Sequence, residues 1–234
     1  MDRPNPICVA LDTPDLEKAR ELARQLAPHV GYVKIGMEFF YAHGAKGYEA
    51  VAAEGLPIFL DLKLHDIPNT VASGMKALMQ LSPCPAIVNL HAAGGRDMMK
   101  AAADAVGGRA KLIAVTILTS LSNHDIWAAG FDSAQDTGAH ATSLAILAKQ
   151  AGLDGVVCSP HDLAGIRSAT GSDFLTVVPG IRPAEEASHD QKRVATPRAA
   201  LAAGADILVI GRTITNSPYP AAAAKKILGE LRHG

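Results

Sequence analysis

Ile7-Cys8-Val9-Ala10-Leu11-Asp12-Thr13-Pro14 is an unbroken apolar run that stops on a carboxylate and turns at once into a helix start. A strand covered on both faces needs no polar alternation, so such a run suits an interior strand of a parallel sheet. Leu16, Ala19, Leu22, Ala23 and Leu26 follow at spacings of three and four, which gathers them on one helical face. Thr13 is placed to act as N-cap. Pro14 would take the first helical position, where its fixed φ suits and its missing N–H would be unpaired anyway. One buried strand followed by one amphipathic helix is the unit from which the fold is read.

The unit recurs along the chain. Further apolar runs span Tyr32 to Ile35, Ile58 to Leu62, Ala86 to Leu90, Leu112 to Leu118, Gly155 to Cys158, Phe174 to Val178 and Ile207 to Ile210. Helical patterns between and after them cover Glu38 to Glu54, Ile67 to Leu81, Arg96 to Val106, Thr137 to Ala151, His161 to Thr170, Pro197 to Ala203 and Tyr219 to Leu231. Strand then helix, repeated in this way, predicts an α/β fold, a closed (β/α)8 TIM barrel. A doubly wound open sheet shares the rhythm and stays open as an alternative. The 234 residues, 48% of them hydrophobic, suit one barrel domain over 1–234.

Composition narrows the partners. With 22 basic and 23 acidic side chains the net charge is −1, which gives no broad basic surface for nucleic acid or an anionic membrane. The N-terminal apolar segment is too short for a signal sequence or a membrane span, so a cytoplasmic protein is expected. Cys8, Cys84 and Cys158 each sit in or beside an apolar run and read as reduced core thiols. No Lys is followed by Ser or Thr, and no G-x-G-x-x-G, H-x-x-x-H or C-x-x-C occurs. Neither a nucleotide cofactor nor a catalytic metal is therefore expected. His91 reads as a hydrogen-bonded barrel side chain rather than a ligand.

Barrel chemistry collects at the C-terminal strand ends, so charges there carry most information. Asp12 ends the first run, although it could simply serve the following turn. Lys34 lies in Val33-Lys34-Ile35-Gly36, and the third run continues as Asp61-Leu62-Lys63-Leu64-His65-Asp66. Period-2 alternation would point Asp61 and Lys63 together into the barrel mouth, with Lys34 approaching from the neighbouring strand. Opposite charges about 4 Å apart attract by roughly 4 kcal/mol at an effective dielectric of about 20, so this plus, minus, plus array would hold its members firmly. A purely structural ion cluster would look the same. At the other side, Val178-Pro179-Gly180-Ile181-Arg182 and Val209-Ile210-Gly211-Arg212 place glycine and arginine after the seventh and eighth strands, the common phosphate site of this fold. The long polar stretch from Pro183 to Arg193 suits either a lid or a plain surface loop.

Asp61-Leu62-Lys63-Leu64-His65-Asp66-Ile67-Pro68-Asn69-Thr70 resembles the D-x-K-x-x-D-I-P-N-T signature of the orotidine 5′-phosphate decarboxylase family. The likeness extends through Val9 to Asp12, Val33 to Gly36, Leu118-Thr119-Ser120, Pro179 to Arg182 and Gly211-Arg212. It implies that Lys63 protonates C6 of the pyrimidine, flanked by Asp61 and Asp66, while Lys34 and Asp12 bind the ribose. It implies further that Thr119 reads the base and that Arg182, Gln191, Gly211 and Arg212 hold the phosphate or close over it. Spacing alone does not choose between Thr119 and Ser120. The family's chemistry is metal- and cofactor-free. Its homodimer carries Asp66 and Thr70 into the partner's site. Alternatives are a metal-dependent sugar-phosphate decarboxylase, a Schiff-base aldolase using Lys63, and a non-catalytic sugar-phosphate binding module.

Overall fold

The computed structural model describes residues 5–183 and 195–232. Eight parallel strands run in chain order around a closed barrel: β1 Ile7–Ala10, β2 Tyr32–Gly36, β3 Ile58–Leu64, β4 Ile87–His91, β5 Lys111–Val115, β6 Gly155–Val157, β7 Leu175–Val178 and β8 Ile207–Ile210. The last strand returns to the first through Ile7↔Leu208 and Cys8↔Val209, which excludes the open sheet. The helices are α1 Leu16–Leu26, α2 Met37–Ala52, α3 Pro68–Leu78, α4 Arg96–Val106, α5 Asn123–Ala128, α6 Thr137–Gln150, α7 Leu163–Thr170, α8 Pro197–Ala202, α9 Arg212–Thr215 and α10 Pro220–Arg232.

Alternation along each strand builds two apolar regions. Ile7, Val9 and Leu11 join the large core between strands and helices, with Leu60, Val88 and Leu208. Cys8, Phe59, Ile87, Ile113, Val177 and Ile207 form a separate cluster inside the barrel. That inner plug is the floor on which any chemistry at the mouth must stand. Among the described residues, no helix is long and apolar enough to cross a membrane.

Three local expectations need correction. Cys8 and Cys158 are buried, but Cys84 is exposed and is not a core thiol. The N-cap of α1 is Asp15, whose Oδ1 accepts the Lys18 N–H at 3.0 Å, whereas Thr13 Oγ1 accepts the Asp15 N–H at 3.2 Å. A turn that closes from the Thr13 N–H to the Leu11 carbonyl at 3.0 Å must first lift the chain off the strand, so the cap falls two residues later. The fifth run leaves the ladder after Val115. Of its two remaining apolar side chains Leu118 is 38% exposed, whereas Ile117 is buried with Ile126 and Ala141 in a small core beneath α5, a helix not anticipated from the pattern. Burial without strand pairing satisfies the same hydrophobicity.

Candidate active site

Inward-facing side chains one step above the plug are polar on three successive strands: Lys34 on β2, Asp61 on β3 and Asn89 on β4. All three are buried. Lys34 Nζ stands 3.2 Å from Asp61 Oδ2 and 3.2 Å from Asp12 Oδ1. Lys63 Nζ donates to Asp61 Oδ1 at 2.7 Å. The array is thus one member longer than expected, running Asp12, Lys34, Asp61, Lys63 with alternating sign. Burial alone would raise the Asp61 carboxyl, but Lys34 and Lys63, with hydrogen bonds from Lys63 and Asn89, hold it below the ordinary carboxylate range. Burial likewise works against the Lys34 ammonium, and Asp61 and Asp12 outweigh it and raise its pKa.

Asp61 and Lys63 meet as expected, but not by strand alternation. Lys63 has φ +53°, the left-handed region. Between the pairs Leu60↔Val88 and Leu64↔Leu90, β3 advances four residues while β4 advances two. The chain therefore bulges, and Lys63 is delivered by that bulge. A non-glycine residue in this conformation costs on the order of 1 kcal/mol or more and persists where surrounding contacts fix it. The fixing contact is Asn89: its Oδ1 accepts the Lys63 N–H at 2.8 Å and its Nδ2 donates to Asp61 Oδ1 at 2.7 Å.

These charges open into a cavity of about 900 Å³ whose walls include Ala10, Phe59, Val115 and Val157 below and Gly180, Arg182, Gly211 and Arg212 across from Lys63. Gly180 has φ +76°, which a side chain would resist. The Arg182 N–H donates to the Ala195 carbonyl at 3.0 Å and the Ala195 N–H to the Gly180 carbonyl at 3.2 Å, so the two ends of the β7–α8 connection are pinned beside the cavity. Gln191 lies outside the described residues.

Thr119 lines the cavity, whereas Ser120 is exposed and is not part of its wall. The expected residues Asp12, Lys34, Asp61, Lys63, Thr119, Arg182, Gly211 and Arg212 are therefore brought together. Asp66 and Thr70 are not. Every residue from His65 to Thr70 is exposed in the single chain, and Asp66 Oδ1 accepts the Ile67 N–H at 2.7 Å.

Asn89, Asn216 and Ser217 were not anticipated; the latter two line the arginine side of the cavity. Asn89 had a visible signal, since an amide inside Ala86-Ile87-Val88-Asn89-Leu90 must find partners in the interior. His91 places its ring 5.5 Å from that of His65, and burial first, then His65 and Lys63, lower its pKa. Among the described residues, no three His, Cys, Asp or Glu side chains gather as a group able to hold a metal ion.

Residues 5–227 match the sequence profile of the orotidine 5′-phosphate decarboxylase / HUMPS family. An orotidine 5′-phosphate decarboxylase of Novosphingobium aromaticivorans is 53% identical over 97% of this chain and 99% of its own length. That of Rhodospirillum rubrum is 48% identical over 97% and 94%. The crystal structure of orotidine 5′-phosphate decarboxylase from Lactobacillus acidophilus superposes with TM-score 0.84 at 38% identity, covering 97% of this chain and 99% of that one.

Proposed function

The chain belongs to the orotidine 5′-phosphate decarboxylase / HUMPS family, and from that footing we propose that it decarboxylates orotidine 5′-phosphate to uridine 5′-phosphate in de novo pyrimidine biosynthesis, in the cytoplasm and without metal or organic cofactor. The observation that carries the reading is one cavity with an ionised Asp61–Lys63 pair on one wall and Gly211-Arg212 on the other. A phosphorylated nucleoside fits that polarity: dianion toward the arginines, ring toward the lysine.

The C6–carboxylate bond breaks, CO2 leaves, and its bonding pair stays on C6. Lys63 then transfers a proton from Nζ to C6 and is reprotonated from solvent. A fixed ammonium next to the developing charge stabilises it before the proton moves, the kind of preorganised field that dominates many enzymatic rate enhancements. Asp61, held ionised, aims the Lys63 side chain through their 2.7 Å contact. Lys34 and Asp12 hold the ribose hydroxyls, and Thr119 meets the pyrimidine. Arg182 and Arg212, with Gln191, grip the phosphate, whose remote binding energy positions the reacting centre.

The chain works as a homodimer, with Asp66 and Thr70 completing the partner's site. Support comes from their exposure together with Ile67, which is 67% exposed, and from a second displayed side chain, Tyr41 within α2, which is 73% exposed. Large apolar side chains displayed beside polar site residues suit an isologous interface.

Loss of orotidine 5′-phosphate absorbance by the purified chain, with a chelator present and nothing added, tests the activity. Turnover that requires an added metal, or Lys63 trapped by borohydride with a carbonyl substrate, would replace this reading with one of its enzymatic alternatives.

A further inference from the structure

We propose that Asn89 is a positioning residue for this reaction: its side-chain amide locks the bulge that delivers Lys63 and at the same time orients the carboxylate that aims it. The inference rests on the functional reading of Lys63 and Asp61 above.

Asn89 is 1% exposed and sits in the middle of β4, a place where Val or Ile would fill space without needing partners. Both ends of its amide are spent on the same two residues. The oxygen takes the Lys63 N–H at 2.8 Å, a donor that the interrupted β3–β4 ladder leaves without a strand partner. The nitrogen donates to Asp61 Oδ1 at 2.7 Å, the very atom that receives Lys63 Nζ at 2.7 Å. Reversing the amide would set oxygen against carboxylate and NH2 against N–H, so the partners themselves fix its orientation. A closed ring results: Lys63 backbone, Asn89 amide, Asp61 carboxylate, Lys63 ammonium. The left-handed backbone at Lys63 and the direction of its ammonium are thereby set by one side chain that need not touch substrate.

The carboxylate in that ring is faced by Lys34 from β2 and Lys63 from its own strand, by Asp12 beyond Lys34, by the His91 ring at the rim, which has the exposed His65 beside it, and by the Cys8 thiol from the layer beneath. Asn89 is its neutral partner from β4.

Asn89→Leu keeps the branched outline of the side chain and removes both bonds. Expected are a kcat lowered about 100-fold, the scale of a small misplacement at a reacting centre, and a Kd for uridine 5′-phosphate within about threefold of wild type. Hydrogen exchange at the Lys63 amide should accelerate at least about tenfold while neighbouring strand amides keep their protection. A kcat within about twofold of wild type, equal losses in kcat and nucleotide binding, or unchanged Lys63 exchange would overturn the assignment.

Asn89→Asp keeps the acceptor and sets a second carboxyl against Asp61, and it decides the matter if the leucine variant does not fold. Protonation turns that carboxyl into a donor again. Variant activity relative to wild type should therefore rise about tenfold from about pH 8 to about pH 5, and a flat ratio would count against the proposal. In that variant too, Lys63 exchange is read without turnover. A wild type that fails to decarboxylate would thus sink the functional reading while the exchange measurement still decides the role of Asn89.

Discussion

Lys34 Nζ lies 3.2 Å from Asp61 Oδ2 with both side chains nearly closed off from solvent. Two buried opposite charges at that distance are not a cheap source of stability, because each lost its hydration shell to get there. They persist because each has a second partner: Asp12 for the lysine, Lys63 for the carboxylate. The stability of the mouth and its charge pattern are therefore the same fact.

Asp61→Asn should accordingly destabilise the protein by about 3 kcal/mol at neutral pH, since it leaves the buried Lys34 ammonium with only the more exposed Asp12 carboxylate. The Asp61 pKa is depressed on folding, so its contribution is present above about pH 4 and is lost as pH falls through the folded value. The Lys34 pKa is raised, so its contribution is present below about pH 10 and is lost as pH rises through the folded value. Urea unfolding at fixed protein concentration should show a wild-type advantage that is level from about pH 5 to about pH 9 and narrows beyond each end. A gap that grows toward acid pH would contradict the assignment of charges.

Lys63→Ala separates binding from chemistry. The phosphate side of the cavity is untouched, so uridine 5′-phosphate should still bind within about tenfold of wild type, while turnover falls by at least about 100-fold through loss of the proton donor. Calorimetric titration and single-turnover assay give the two numbers. Turnover near wild type would remove Lys63 from the mechanism.

Arg212→Ala should weaken uridine 5′-phosphate binding about 10- to 100-fold, the scale of charge-assisted hydrogen bonds to a phosphate. The loss in kcat/KM should be at least as large, because remote binding energy serves the reacting ring. Arg212→Lys should recover part of the affinity, a point charge replacing a planar fork. Unchanged binding by the alanine variant would move the phosphate elsewhere.

The strand and helix rhythm was readable because continuous apolar runs and i, i+3, i+4 faces are local properties of the chain. Closure of the barrel was not local: it depends on β8 meeting β1, and the end motifs, not the rhythm, spoke for it. The overextended fifth run shows the limit on boundaries. Ile117 is as buried as a strand residue would be, yet in a different small core. Apolarity reports burial and is silent on which partner provides it.

Asp12 and Arg212 stand out because they follow β1 and β8, and Lys34 and Asp61 because they interrupt buried apolar strands, where a charge needs partners. Lys63 meets Asp61, but alternation accounts for only part of how it gets there. Alternation predicts an extended residue, while the chain has a left-handed one. No pattern in Asp61-Leu62-Lys63-Leu64 encodes that bulge, because its cause lies 26 residues away in the Asn89 side chain. Long-range hydrogen bonding of this kind becomes visible in coordinates and is only hinted at by an amide in an apolar run.

The exposed stretch His65 to Thr70 makes the last expectation the most demanding. If Asp66 of one subunit completes the site built around Lys63 of the other, Asp66→Ala and Lys63→Ala chains are each nearly inactive alone and complement when mixed. A heterodimer then holds one site with both residues intact and one with neither. Random exchange makes about half the dimers heterodimers, so about one quarter of wild-type activity should return. Each variant is unfolded and refolded separately as a control, and native mass spectrometry verifies the mixed species. Verified heterodimers that stay as inactive as their parents would show that Asp66 serves its own chain or none. A purified wild type that remains monomeric at micromolar concentration would remove the shared site altogether. Burying Ile67 and Tyr41 at the interface gives a second handle: Ile67→Asp, which charges the patch without touching Lys63, should shift the dimer toward monomer and lower activity in step with the dimer fraction.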